Sequence, residues 1–393
     1  MFDTACFDQT LLLITADFKD LTIPNHLSLA APMASPARIY PLRKPKNHRL
    51  PTPRWKLDLT NGISSVFTVY IGIQRHSDDQ ETKRAQSQAT SAVQKWISAI
   101  DGPSTFEKFT SIDGCDLQGS SIWVCYWTEP KKYRQSLDAF SLPSIYSALG
   151  PGRASIGIWR ETFSTEATRL ETTYSDLDYL PGVAKIPGTT TVEHENSVYW
   201  GAARDRIPDS AHDLFPQSKD ISPPETIPRG LGQYLRGTNY NNMIHIRSGQ
   251  FWENCSQEEA DAYERRLEPT LYTGLRSLWE NSKETGAQGM RYLRNEENSE
   301  TYRLRKETCG AGFFSSLDAL EAWSKCHPSH LAIYRGALQH FKAFGDRRRF
   351  RAWHEVSVLR GGDAEFEYLN CVPETGVIRS IPLNVDDDQL EEL

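Results

Sequence analysis

The sequence KCHPSHLAIYRGALQHFKAFGDRRRFRAWHEVSVL occupies residues 325–359. This stretch indicates the fold most clearly, because its pattern predicts one helix followed by one strand. Pro328 and Ser329 suit a helix start, where a missing N–H costs nothing and a hydroxyl can cap. Gly345-Asp346 is typical of a helix end. The apolar residues in between recur at three- and four-residue steps and predict one buried face: Leu331, Tyr334, Leu338 and Phe341.

The strand that follows alternates between two faces. Residues 353–359 put His354, Val356 and Val358 on one side, so a strand here aims His354 into whatever cavity lies behind the sheet. Trp353 and Glu355 point the other way and are predicted to be structural. Gly361-Gly362-Asp363 then turns the chain, and residues 366–370 are predicted to return as the second strand of a hairpin.

Three interpretations of the histidines follow from residue types alone. His327 and His330 could form half of a zinc site, although no third and fourth ligand follows at a telling spacing. A haem site needs one axial histidine on a helix and a polar group across the ring. The third interpretation is structural: a histidine that caps the helix and a strand histidine, His354, satisfied in a core. His340 lies on the predicted polar side of the helix and is expected to be solvated.

Five separated motifs together resemble the haem-containing aldoxime dehydratases, phenylacetaldoxime dehydratase among them. They occur in the order of that family: YWGAARDRIP at 199–208, IRSGQ at 246–250, HPSHLAIY at 327–334, WHEVSVL at 353–359 and FEYLNCVPETG at 366–376. The similarity extends over roughly residues 55–375. Several motifs in order are far more specific than any single short pattern.

Composition limits the class of protein. The chain has 393 residues, 38% of them hydrophobic, and a net charge of -7, which suits a soluble globular protein and disfavours a nucleic-acid partner. No segment reads as a secretory signal or membrane span. Seven scattered cysteines without a CxxC predict a reducing, cytoplasmic location. The absence of CxxCH argues against covalently attached haem.

Strands and helices alternate in two comparable halves, which predicts an α+β fold of antiparallel sheets covered by helices. We expect a proline-rich arm (1–55), a first half (56–208), a connecting loop (209–240), a second half (241–375) and an acidic tail (376–393). Residues 166–180 are predicted to be partly helical. The resemblance implies a pseudo-duplicated, ferredoxin-like fold of the dimeric α/β-barrel type, with haem in the second half, and it is compatible with a homodimer.

The resemblance also implies roles for individual residues. His330 would be the proximal ligand of haem b iron, with His327 the runner-up. His354 would be the distal acid–base group, and Ser248 would hydrogen-bond the oxygen of the substrate. The family uses an arginine of the 199–208 motif at the distal site.

The motif does not say which arginine this is. Arg204 and Arg206 flank Asp205 and are expected to share one face of an extended segment, and we favour Arg206. Glu171 could orient that arginine by a charge-assisted pair. A surface position for Glu171 is the alternative.

The implied reaction converts an aldoxime, R–CH=N–OH, into a nitrile and water. Ferrous haem would bind the oxime nitrogen directly, and His354 would act as general acid and base. Two other functions remain open: a haem peroxidase or chlorite dismutase-like enzyme, and a non-catalytic haem sensor or carrier. The peroxidase would call for a carboxylate bonded to the proximal histidine, and the carrier would not need converging distal groups.

Overall fold

Runs rich in β-branched and aromatic residues form a single fourteen-stranded sheet in the computed structural model, which describes residues 38–60, 62–219, 223–296 and 305–386. The strands are β1 Trp55–Asp58, β2 Ser65–Arg75, β3 Thr105–Gly114, β4 Ser121–Trp127, β5 Ile156–Glu166, β6 Leu170–Tyr174, β7 Thr190–Glu193, β8 Tyr234–Thr238, β9 Met243–Phe251, β10 Ala287–Asn295, β11 Glu307–Phe314, β12 Arg351–Leu359, β13 Ala364–Leu369 and β14 Asn384–Val385.

Helices with one apolar face cover this sheet. They are α1 Gln80–Ile97, α2 Pro130–Asp138, α3 Leu142–Ala148, α4 Ala202–Arg206, α5 Gln257–Ala262, α6 Glu268–Glu280, α7 Ser282–Thr285, α8 Leu317–Cys326 and α9 Pro328–Phe344. A π-helical turn, Tyr263–Leu267, joins α5 to α6. Ser256 caps the start of α5, because its hydroxyl accepts a hydrogen bond from the backbone N–H of Glu259 at 3.2 Å.

The strand order confirms the predicted α+β, ferredoxin-like architecture. In the first half the order is β5-β2-β4-β3, and in the second it is β12-β9-β11-β10, so the fourth, first, third and second strands of each half lie side by side. Antiparallel pairing of β3 with β10 joins the halves. One apolar cluster contains residues from both halves, and separate clusters lie under the helices of each half.

The two halves repeat a packing motif that their sequences do not reveal. In the first half Trp159 on β5 lies against Gly72 on β2, where an added Cβ would come within 2.0 Å of the indole. In the second half Trp353 on β12 lies against Gly249 on β9, where the corresponding distance is 2.1 Å. The four residues occupy equivalent strands of the two halves, so this repeated packing indicates an internal duplication.

A buried guanidinium stacks on each of these tryptophans. Arg291 lies 4.6 Å from the ring centre of Trp159, and Arg247 lies 4.7 Å from that of Trp353. Arg291 makes two parallel contacts to the carboxylate of Glu161, at 2.8 and 2.9 Å. Both arginines and Glu161 have no exposed surface. A single substitution in such an ion pair is strongly destabilising, because removal of one partner leaves the other charge buried alone.

We expect Arg291→Met to destabilise the protein by about 3–5 kcal/mol, since Glu161 and Asp116 would lose their shared cation. Urea unfolding at pH 7 measures this loss. Burial already raises the pKa of Asp116 to about 6, so the loss should shrink as the pH falls and the carboxylates become neutral. Arg276→Met, which removes an exposed ion pair to Glu280, is the control and should change stability by less than about 1 kcal/mol.

The predicted hairpin between the last two long strands is wrong. β12 pairs with β9 and β6, whereas β13 pairs with β5 and β8. The turn at Gly361 and Gly362 therefore sends the chain from the second half to the outer strand of the first. The physical reason is that β5 offers an unpaired edge, and a local turn signal does not specify which strand accepts the returning chain.

Two further segments differ from the prediction. Residues 170–174, expected to be partly helical, form β6, because their backbone groups pair with β12 and with β1. Residues 209–240, expected to be a loop, contain β8.

The division of the chain into an arm, two halves and a tail stays a prediction. The arm up to residue 37 and the tail beyond residue 386 lie outside the described residues, and residues 38–54 contain no helix or strand. The described residues from Tyr40 to Asp386 belong to one compact unit. Among the described helices, none combines the length and the apolar character that a membrane span requires.

Candidate active site

The two histidines at the start of α9 have different surroundings. His327 is the N-cap: its Nδ1 accepts a hydrogen bond from the backbone N–H of Ser329 at 3.3 Å and lies 2.7 Å from the Ser329 hydroxyl. His330 lies one turn further, between the rings of Trp323 at 4.7 Å and Trp200 at 6.2 Å. Its Nδ1 is buried close to the backbone carbonyl of Ser324. His327 uses its Nδ1 to cap the helix, whereas His330 takes no part in capping.

The apolar stripe predicted for α9 is not the face that packs against the protein. His340 and Phe344 are the buried residues of this helix, while Leu338 is 37% exposed. The expected solvation of His340 is wrong, since its Nε2 lies 3.3 Å from Glu259 Oε1. The reason is that α9 packs on α6 and α8 through its other side, where Ile333 joins the apolar cluster beneath them. The stripe itself stays partly exposed: Leu331, Tyr334, Leu338 and Phe341.

His354 and Ser248 stand directly opposite each other on β12 and β9 and therefore project from the same face of the sheet. Both keep accessible surface, although they lie in the middle of the sheet. Their neighbours on the other face are locked in the core, because Arg247 donates to Glu107 at 2.6 Å and Glu355 accepts from Tyr126 at 2.8 Å. The structural role predicted for Glu355 and Trp353 agrees with these contacts.

The strand face that carries Ser248 and His354 makes few contacts with α9, because among the described elements α9 packs closely on α6 and α8. The region between them is called the space, with the apolar stripe of α9 on one side and Ser248 and His354 on the other. His330 and His354 are near enough that a charge on His354 would lower the pKa of His330.

Both imidazoles are neutral at pH 7. Burial lowers the pKa of His330 to about 4, and the nearby backbone carbonyl of Ser324 offsets only part of that effect. Burial, helped by the positive charges of Arg206 and Arg54, also lowers the pKa of His354 to about 4. A neutral imidazole is the form that ligates a metal, and it is also the form that accepts a proton.

The two arginines of the 199–208 motif point in different directions. Arg206 binds the carboxylate of Glu171 through two parallel hydrogen bonds, at 2.8 and 2.9 Å, and donates to the Asn196 carbonyl at 2.8 Å. Arg204 instead contacts α8, where it donates to Asp318 at 2.6 Å. The expectation of a shared face is wrong, because the segment is the short helix α4 and side chains two apart on a helix diverge.

Arg206 and Glu171 also lie next to the strand face that carries His354. Glu171 and Thr173 alternate along β6 and are paired with Val356 and His354 of β12. Both carboxylate and guanidinium are buried. Arg206, and not Arg204, is therefore the arginine of this motif that borders the space.

The chain was compared with known proteins. The sequence profile described as "Haem-containing dehydratase" matches residues 69–377, more than half of the chain. This chain belongs to the haem-containing dehydratase family. The aliphatic aldoxime dehydratase of Pseudomonas chlororaphis is 29% identical over 86% of the chain and 93% of the relative. The phenylacetaldoxime dehydratase of Bacillus sp. (strain OxB-1) is 31% identical over 85% of the chain and 93% of the relative.

A solved structure supports the same membership. A crystal structure of an aldoxime dehydratase in complex with butyraldoxime superposes with a TM-score of 0.75 and 28% identity, covering 88% of this chain and 94% of the other. The order of the motifs in this sequence and the likeness of its fold to the solved structure thus indicate the same family.

The residues present fit the cofactor that the family name implies. A haem iron needs one neutral imidazole, which His330 offers, and an apolar wall for the porphyrin, which the stripe of α9 offers. The alternative of a zinc site finds no support, because no cluster of three or more metal-binding side chains occurs among the described residues.

Sequence reasoning missed two polar residues beside His354. Thr173 stands opposite His354 in the sheet, and its hydroxyl lies 3.3 Å from Nε2 of a further buried histidine, His194. Burial and the positive charges of Arg206, Lys56 and Arg54 lower the pKa of His194 to about 3. The expected partial helix over 166–180 concealed Thr173. No sequence signal distinguishes His194, since β7 is short and irregularly patterned.

Proposed function

We propose that the chain is a lyase that dehydrates aldoximes, R–CH=N–OH, to nitriles and water, with non-covalent haem b between α9 and the sheet. The observation that carries this proposal is the proximity of a neutral His330 on α9 to His354, which stands opposite Ser248 on the neighbouring strand. Family membership supports the proposal, because the chain belongs to the haem-containing dehydratases and its relatives are named for aliphatic aldoximes and phenylacetaldoxime.

His330 would hold the iron as proximal ligand, and the stripe of α9 would lie against the porphyrin. Ferrous haem supplies a coordination position for the oxime nitrogen and electron density that weakens the N–O bond. The protein's share is position, a proton and the exclusion of water.

His354 would move the protons. Dehydration places one proton on the departing hydroxyl and removes one from the aldoxime carbon, so a single group that gives and takes a proton ends in its starting state. The imidazole suits this role, because β12 holds it rigidly on the face that borders the space. Arg206, fixed by Glu171, would keep positive charge beside the leaving oxygen.

Ser248 would hold the hydroxyl oxygen of the substrate. Its hydroxyl receives only a long contact from Gln250 Nε2, at 3.5 Å, so it is available to a ligand. We expect Ser248→Ala to lower turnover by roughly 2- to 10-fold, the worth of one neutral hydrogen bond. Single-turnover nitrile formation by the ferrous protein measures this, and Ser91→Ala on the exposed side of α1 is the control. A loss of a thousandfold would assign Ser248 a share in proton transfer.

The proposal is tested by absorption spectra and an aldoxime assay. The purified protein should carry haem that acid–acetone extracts, and it should form nitrile from butyraldoxime or phenylacetaldoxime under dithionite. A haem peroxidase would instead turn over in the ferric state with peroxide, and it would use a proximal histidine bonded to a carboxylate. A sensor or carrier would bind haem and form no nitrile.

The location and the assembly are part of the same proposal. The cysteines among the described residues are free, which suits a reducing, cytoplasmic compartment: Cys115, Cys125, Cys255, Cys309, Cys326 and Cys371. A homodimer stays a prediction, and sedimentation of the purified protein checks it.

A further inference from the structure

Three basic side chains surround one edge of the face that carries His354. Trp55 of β1, Tyr174 of β6 and Trp353 of β12 lie side by side in one row across the sheet. Because side chains alternate along each strand, the residues before and after this row point to the opposite face. Arg54 and Lys56 therefore project from the same face as His354, two strands away.

Arg348 approaches this edge from the end of α9. It lies just before β12, and its guanidinium stands 5.2 Å from the ring centre of Phe341, the last residue of the α9 stripe. The positive charge of Arg348 lowers the pKa of Arg54, so the two guanidinium groups are close enough to repel each other. The stripe thus extends from Leu331, next to His330, to Phe341, next to Arg348.

These cations lack carboxylate partners. Among the described residues, no ion pair involves Arg54, Lys56 or Arg348. Arg54 donates only to its chain neighbours, to the Thr52 hydroxyl at 2.5 Å and to the Pro53 carbonyl at 2.9 Å. The nearby carboxylate of Asp176 is shared with Arg351, at 3.0 Å.

Burial without a counter-ion is unfavourable for a cation. All three groups are half-buried, and burial lowers the pKa of each, that of Arg54 to about 10. An anion placed among them would relieve both the loss of solvation and the mutual repulsion. The patch therefore has the chemistry of a site for carboxylates, and Arg in particular binds carboxylates through paired hydrogen bonds.

We propose that Arg54 and Arg348 bind the two propionate carboxylates of the haem, with Lys56 as an additional nearby cation. This inference rests on the proposed haem site and fixes how the cofactor is oriented in it. In this orientation the two carboxylates would lie toward Arg54 and Arg348, at the end of the α9 stripe away from His330.

The test compares haemin with its dimethyl ester, in which both carboxylates are blocked. The apoprotein is titrated with each compound, and binding is followed in the Soret band. The proteins are wild type, Arg54→Ala, Arg348→Ala and, as the matched control, Arg347→Ala, which removes an exposed neighbouring arginine. The readout is the affinity ratio of haemin to diester, which does not depend on turnover.

Wild type and Arg347→Ala should prefer haemin to the diester. Arg54→Ala and Arg348→Ala should each lose about 10- to 100-fold in haemin affinity, the range for one charge-assisted hydrogen bond, and little in diester affinity. Arg54→Lys and Arg348→Lys should retain part of the preference, which shows that the variants fold.

A ratio unchanged in both alanine variants overturns the proposal, because the carboxylates would then bind elsewhere. An equal loss of haemin and diester affinity also overturns it, since the arginines would then only support the fold. A protein that shows the expected ratios and yet forms no nitrile contradicts the proposed reaction alone.

Discussion

His330→Ala is expected to fold and to bind little haem. Of the two histidines at the start of α9, His330 is the one that does not cap the helix, and α9 keeps its cap and its packing on α6 without it. The measurement is the haem content of the purified variant by pyridine haemochrome, with circular dichroism to verify folding. Added imidazole should restore a Soret band, because the truncated side chain leaves a pocket of that shape.

The controls for this result are His327→Ala and His354→Ala. His327→Ala removes an N-cap, which costs about 1 kcal/mol of stability, and should keep its haem. His354→Ala should also keep haem. If His327→Ala loses the cofactor, the ligand is His327; if His354→Ala loses it and His330→Ala retains it, the proximal and distal assignments are reversed.

His354→Asn should nearly abolish turnover, by about 100- to 10,000-fold, while the ferrous protein still binds aldoxime. Asparagine fills a similar volume on β12 but neither accepts nor releases a proton near neutral pH. The histidine is neutral at pH 7 in the free protein, because burial and Arg206 lower its pKa to about 4. Single-turnover nitrile formation measures the chemical step, and the shift of the Soret band on adding aldoxime measures binding separately.

The matched control is His212→Asn, an exposed histidine, which should leave both quantities unchanged. Full activity in His354→Asn would remove His354 from the mechanism. Arg206 would then be the leading proton donor, since Arg204 is directed toward Asp318 and Glu321.

Local patterns were sufficient to predict α9, β12 and the ferredoxin-like rhythm of the two halves. Local patterns did not predict packing or strand pairing that depends on residues far away in the sequence. The apolar stripe of α9 was found, yet the face that packs on protein contains His340, which Glu259 satisfies from another helix. The turn at Gly361 was found, yet its second strand pairs with β5.

The candidate site shows the same division. The roles of His330, His354 and Ser248 were predicted from the family resemblance. An isolated histidine or serine in a sequence does not indicate which residues will surround it in the fold. Arg204 and Arg206 could not be separated without knowing that α4 is helical. Arg54 and Arg348 resemble surface charges in the sequence, and only the register of β1, β6 and β12 brings them toward one edge.

The alternation along β9 and β12 limits how this enzyme can be re-engineered. Ser248 lies between Arg247 and Gly249, and His354 lies between Trp353 and Glu355, so each has a neighbour that bonds to a residue of the first half. A library that varies these strands would disrupt the sheet before it altered selectivity. The stripe of α9 has no such contacts. Leu338 and Tyr334, which we propose lie against the porphyrin, are therefore positions at which the fit of the haem can be changed without disturbing the sheet.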